Sequence, residues 1–364
     1  MAKRQPKRNE IPVGVEIATQ WSWRLLVIAA AGAVGIWLLR YFSEITVPIA
    51  IAVLGTALVV GAVDWLESKG LPRLAATAMV VITMLVGLFG MLALVGQQLA
   101  TQVADLKSNV VEGIDQIQDW AQTGPLNLTD SQIQDWIDQA KSSITNTDTS
   151  VLTTVTSVGT TLTHIVAGFF IALFASFFFL YEGDRIWSWI VALFPKAARA
   201  KVHSSGETAW ASLTAFVRAT MIVAFTDAMG IAFGAWVLGV PLTFAIGVLV
   251  FLGAFIPIIG ALLSGMVAVL VALVAQGPVV ALLMLAVVIL IQQIESHVLQ
   301  PFLMGKLVAV HPLAIILAIA AGVAVAGIVG ALIAVPLAAC LNGVVKHLVQ
   351  EAQEFQDEPE PDPA

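Results

Sequence analysis

Charge is the scarcest property of this chain. Of 364 residues only 11% are Asp, Glu, Lys or Arg, while 59% are apolar; soluble domains carry about 25% charge. So few charges cannot cover a soluble surface, and lipid is the expected solvent for most of the chain. A single cysteine, Cys340, excludes an intrachain disulfide and leaves the redox compartment undetermined. Five histidines, at 164, 203, 297, 311 and 347, are scattered without metal-ligand spacing, so neither a metal nor a cofactor is expected. No G-x-x-x-x-G-K-[ST] phosphate loop is present, which excludes ATP hydrolysis by this chain. No H-E-x-x-H occurs either, so a zinc protease is excluded. Ser264-Gly265 has no marked base and reads as small-residue helix packing. No catalytic residue is assigned, the chain is not expected to be an enzyme, and no nucleic-acid partner is expected.

What is present is a series of long apolar runs. A membrane helix needs about 20 such residues. The candidate spans are Leu25–Leu39, Ile45–Val63, Leu74–Gly96, Val158–Tyr181, Met221–Val240, Thr243–Ala275, Pro278–Ile294 and Leu313–Leu341. The first lies behind a basic arm but has no small-residue cleavage site, so it reads as an anchor rather than a signal peptide. The expected fold is therefore all-α: a polytopic helical membrane protein with about seven or eight membrane segments. Thr243–Ala275 is too long for one crossing and contains Pro257, which cannot continue helical hydrogen bonding. A broken or re-entrant helical hairpin fits it better than one rod, with a simple proline kink as the alternative.

Orientation follows from the basic residues. The arm at 1–24 and the amphipathic segment at 182–220 are rich in Lys and Arg, whereas 97–157 has only Lys107 and Lys141 among eight acidic residues. Positive-inside logic places the N-terminus and 182–220 in the cytoplasm and 97–157 outside it, in a bacterial inner membrane. The first helices occupy 25–96. Within 97–157, apolar residues recur at three- and four-residue steps from Leu99 to Ala121, Gly124-Pro125 breaks the stripe, and Thr129 to Gln132 opens a second helix. An extramembrane amphipathic helical hairpin is expected there. A membrane helix follows at 158–181, a transport core at 221–341 and an acidic, unstructured tail at 351–364.

Polar residues at membrane depth are the candidates for function. Asp227 lies within the fifth span, where a carboxylate costs about 2.5–3.5 kcal/mol on insertion scales. It is the first candidate for proton or cation coupling, with pairing to Arg218 or a polar neighbour as the alternative. The densest polar string runs from Gln292 and Gln293 through Glu295 and His297 to Gln300-Pro301. Three- and four-residue steps let it present amide, carboxylate and imidazole along adjoining faces. Gly322, Gly327 and Gly330 thin the last span for packing or flexing, and Pro336 is expected to kink it.

These same strings resemble the autoinducer-2 exporter family. The likeness begins at Phe177-Phe178-Phe179-Leu180-Tyr181-Glu182-Gly183-Asp184 and resumes at Gly239-Val240-Pro241 and Phe255-Ile256-Pro257-Ile258-Ile259-Gly260. It continues through Ile291 to Pro301, Met304-Gly305-Lys306 and His311-Pro312, and closes at Ala321-Gly322, Gly327 to Ala331 and Val335 to Ala338. Arg218-Ala219-Thr220 departs from the expected Arg-Gly-Gln, and Asp227 is not part of the pattern. The resemblance implies an oligomeric exporter of small molecules in the lipid bilayer, with autoinducer-2 as the eponymous substrate. It also admits a sodium or potassium/proton antiporter. A discontinuous helix at Pro257 and Gly260 would line the path. Gln292, Gln293, Glu295 and Pro301 would flank it, and Asp227 or Glu295 would bind the coupling ion. A scaffold acting through the 97–157 hairpin is the reading from another class.

Overall fold

The computed structural model describes residues 13–123, 151–256, 259–299 and 311–357. Among the described residues the chain is helical with no strand, and eight stretches are long and apolar enough to cross a membrane. The helices are α1 (Val13–Tyr41), α2 (Ser43–Ser68), α3 (Arg73–Thr123), α4 (Val151–Ala192), α5 (Arg199–Val237), α6 (Thr243–Gly253), α7 (Ile259–Gln276), α8 (Pro278–Ile294) and α9 (Pro312–Asp357). This is a polytopic helical membrane protein. Helices satisfy their own backbone groups, which hydrocarbon requires.

The side chains are sorted as a membrane demands. Fully buried positions are mostly small: Ala57, Ala76, Ala224, Ala235, Ala268 and Ala272 have no exposed surface. Phe170, Phe174, Phe225 and Trp236 face outward instead. Helices in lipid gain little from hiding large apolar groups from one another, so close backbone approach through small residues holds them together.

Four long helices cross boundaries drawn from the sequence. α4 overruns both ends of 158–181, with non-helical dihedrals at Glu182. α9 stays helical to Asp357, inside the tail expected to be unstructured. α3 runs unbroken for 51 residues, joining the third span to the first projecting helix at 97–123. α5 runs for 39 residues, so the division between segment 182–220 and the fifth span falls inside one helix. The second projecting helix, the N-terminal residues 1–12, Pro257, Pro301 and the end of the tail at 358–364 lie outside the described residues.

The anomalous run at 243–275 is a hairpin. Gln276 Nε2 donates to the Gly239 carbonyl at 2.8 Å, whereas one straight helix would hold these ends about 50 Å apart. α6 has 11 residues and is about 16 Å long, roughly half of a bilayer core of about 30 Å. The turn is tight because neither strand of the crossing has a side chain. A Cβ on Gly260 would fall 1.7 Å from the Gly253 carbonyl oxygen.

A second reversal lies where one span, Leu313–Leu341, was expected. Inside α9, Ala326 (φ −139°, ψ 25°) and Gly327 (φ 60°, ψ −141°) leave the helical region. Gly322 and Gly330 would be about 12 Å apart in a straight helix. Instead a Cβ on Gly322 would lie 2.3 Å from Gly330 O, and the Ala334 methyl 2.9 Å away. The chain doubles back into two arms, 312–325 and 328–357. Pro336 sits within the second arm, and the non-helical dihedrals fall at 326 and 327.

Candidate functional site

α5 is the axis on which the site is built. Ile291 and Val287 of α8 occupy the space that side chains would fill at Gly230 and Gly234. Pairing 234 with 287 and 230 with 291 makes the helices antiparallel and brings 227 opposite 295, one turn further on. The Asp227 carboxyl there lies within hydrogen-bonding reach of the Glu295 carboxyl. Asp227 is 2% exposed, and its Oδ1 has no hydrogen-bond partner among the described residues. Two turns back on the same face, the Thr220 hydroxyl is also buried without one.

Local backbone sets the position of Glu295. The α-helix ends at Ile294, and Glu295–Leu299 form a π-helical turn. Such a turn inserts one residue and re-aims the side chains that follow, which is why it recurs at functional sites. His297 is turned away, its Nδ1 3.1 Å from the Gln293 carbonyl and 3.0 Å from Ser296 Oγ. Gln292 is half-buried and Gln293 exposed.

Both hairpins point at the middle of α5. The first packs Ile246 and Val250 against Ala228, Ile231 and Ala235, with its base at the C-terminal end of α5. The second packs Ala331, Val335 and Ala339 with Leu213, Phe216 and Val217. Cys340 Sγ contacts the Ala209 carbonyl, and His347 contacts Ser204, so its base lies toward the N-terminal end of α5. Ile256, at the tip of the first hairpin, packs on the cluster that holds the second. Two hairpins thus enter from opposite ends of one membrane helix, and the tip of the first reaches the cluster that holds the second.

The base of the first hairpin is clamped by amides. Leu242, with φ 58°, precedes α6 and supplies no side-chain cap. α3 caps it instead: Gln102 Oε1 accepts from Leu242 N at 2.7 Å, and Gln98 Oε1 accepts from Ala245 N at 2.9 Å. Helix ends leave N–H groups unpaired, and in an apolar setting each needs such a partner.

Comparison with known sequences gives the chain its place. The AI-2E family transporter model matches residues 26–350. The chain belongs to the AI-2E transporter family. It is 41% identical to "Putative transport protein MT0215" of Mycobacterium tuberculosis (strain CDC 1551 / Oshkosh) over 90% of both chains. It is 26% identical to "Putative transport protein YrrI" of Bacillus subtilis (strain 168), covering 86% of this chain and 89% of the relative. It is a multi-pass membrane transport protein.

The AI-2E strings fall where the hairpins turn. Gly260 makes the first crossing, Gly322 and Gly330 the second, and Gly327 the reversal itself. Asp227, which lies outside the family strings, meets Glu295, which lies inside one. Arg218 is not its partner; that guanidinium lies over Gly61 of α2. Gln98 and Gln102 were missed by sequence reasoning, because a polar residue one turn past a span reads as ordinary interface. Their spacing of four on one helix face is the signal that was available.

Proposed function

We propose that this chain is a secondary transporter that exports a small, hydroxyl-rich molecule, coupled to a proton or monovalent cation at Asp227 and Glu295. Autoinducer-2 is the substrate from which the family takes its name, and the absence of a phosphate loop leaves an ion gradient as the energy source. The observation that carries the reading is the carboxyl pair, in which Asp227 is buried and Glu295 half-buried. Two carboxyl groups hydrogen-bond to one another only with a proton on one of them, and a bound cation can replace that proton. Asp227 Oδ1, without a hydrogen-bond partner among the described residues, supplies an oxygen for such an ion. The Thr220 hydroxyl, likewise unpartnered two turns away, is a separate polar step along the same face of α5. Opposed helical hairpins packed on the helix that carries Asp227 support alternating access, since broken helices line transporter midplane sites. The second reading, sodium or potassium exchange for protons, rests on the same pair and needs no organic substrate.

Proteoliposomes holding the purified chain distinguish these. Efflux of labelled autoinducer-2 that follows an imposed proton or sodium gradient, and is lost in Asp227→Asn and Glu295→Gln, supports export. Collapse of a proton gradient on adding Na⁺ or K⁺, with no efflux of the label, supports the antiporter. Retention of full coupled flux in both variants would sink the site assignment.

A further inference from the structure

A large cavity lies away from the carboxyl pair. It is a trough of about 1240 Å³ between the end of α1, the start of α2, residues 164–172 of α4, and both arms of the second hairpin. Its floor is made by residues too small to fill it: Ala318, Ala321, Gly322, Ala326, Gly330 and Ala334. Its walls are apolar, including Ile45, Pro48, Ile165 and Phe169. Pockets for drug-sized ligands hold about 300–1,000 Å³, so the trough fits something larger.

One end of the trough differs from the rest. Arg40, Ser43, Glu44, Thr46 and His164 gather there. His164 Nδ1 lies 3.5 Å from Glu44 Oε1, so the carboxylate is already partnered. Arg40 has no ion-pair partner among the described residues. Beside it Trp37 and Tyr41 stack at 5.5 Å and are 61% and 69% exposed. Exposed amphipathic rings at a helix end mark headgroup depth. The trough therefore runs from an unpaired cation at the interface into the apolar interior, which is the chemical outline of one membrane phospholipid. A second copy of the chain would have to seat apolar side chains against this charged rim, and the rim argues against that.

We propose that one phospholipid of the surrounding leaflet is bound in this trough, its phosphodiester at Arg40 and its acyl chains against the tip of the second hairpin. The lipid would then fill the space beside the Gly322–Gly330 crossing and hold the second hairpin against α2 and α4. Nothing in this inference depends on the transported substrate or on the carboxyl pair.

The test uses the full chain, purified in mild detergent, washed, and examined by native mass spectrometry with phosphorus determination. About one phospholipid per chain should survive washing. Arg40→Gln should lower its occupancy about fivefold, the weight of one basic contact at a membrane surface, and Ala321→Phe should displace it. Should Ala321→Phe fail to fold, a phospholipid with a photoactivatable acyl chain in nanodiscs gives a second readout on the unaltered chain. Labelling concentrated in 318–341 and 164–172 supports the site. Label spread evenly over the lipid-facing helices, or lipid retention unchanged in Arg40→Gln, overturns it. So does efficient disulfide dimerisation in the membrane of Leu337→Cys on a Cys340→Ser background, which would put a second copy in the trough.

Discussion

The two hairpins reverse the chain by different means. In the first, Gly253 and Gly260 cross at the end of an 11-residue helix, and the run between them contains Pro257. In the second, the reversal occupies two residues inside what reads as continuous apolar sequence, and Gly327 alone supplies the left-handed φ. The first is fastened at its base by Gln98 and Gln102 of α3. The second is flanked by the open trough instead. A proline break can be seen in a sequence because it removes a hydrogen-bond donor. A glycine fold-back cannot, because glycine is equally at home as a packing residue.

The sharpest way to separate the hairpins from the site they flank is to alter the site alone. Asp227→Asn keeps the size of the side chain, and coupled flux in proteoliposomes should fall by about tenfold or more, a barrier change of about 1.4 kcal/mol. Thermal stability in detergent should hold or rise, since a buried ionisable group is removed. A fall in stability with flux intact would mean that the carboxyl pair is structural.

The next largest effects should come from the crossings. Gly260→Ala and Gly330→Ala place a Cβ 1.7 and 1.9 Å from an opposing carbonyl oxygen. The backbones must separate, at about 1–3 kcal/mol by the usual cost of overpacking. Gly327→Ala isolates the other mechanism. No atom lies within 4 Å of the new Cβ, so any loss is backbone strain, again about 1–3 kcal/mol. Denaturation of each variant in detergent measures all three. An unchanged Gly327→Ala protein would show that the second reversal does not require the left-handed conformation.

The base clamp should respond more locally. Gln98→Leu and Gln102→Leu each leave one backbone N–H of the first hairpin without its acceptor, worth about 1–3 kcal/mol where the site is dry. Hydrogen exchange at Leu242 and Ala245 should rise while exchange in the second hairpin stays as it was. Equal rises in both hairpins would show that they are one cooperative unit. The smallest effect belongs to Glu44→Gln. Its pair with His164 is largely exposed, with side chains at 66% and 78% for His164 and Glu44, and such pairs contribute about 0–1 kcal/mol. Unfolding with and without salt checks it.

The sequence carried the membrane character and most of the span positions, since runs such as Leu74–Gly96 leave an apolar chain no other solvent. It also marked Asp227 and Glu295 separately, one as a costly charge at depth and the other within a polar string. Their meeting was not legible. It depends on Gly230 and Gly234 admitting Ile291 and Val287, and on a π-helical turn that begins at Glu295; neither has a local signature. Gln98 and Gln102 were hidden for a related reason: their partners are backbone groups about 140 residues away.

By itself, then, the sequence determined the solvent, the helical class and the list of residues too polar for their depth. Each follows from the composition and periodicity of single segments. Only the tertiary structure decided which of those residues touch, and that the last apolar run folds back on itself. Contacts between helices in lipid are set by where small residues let backbones approach. A glycine's neighbour across that gap is not written in the segment that contains it.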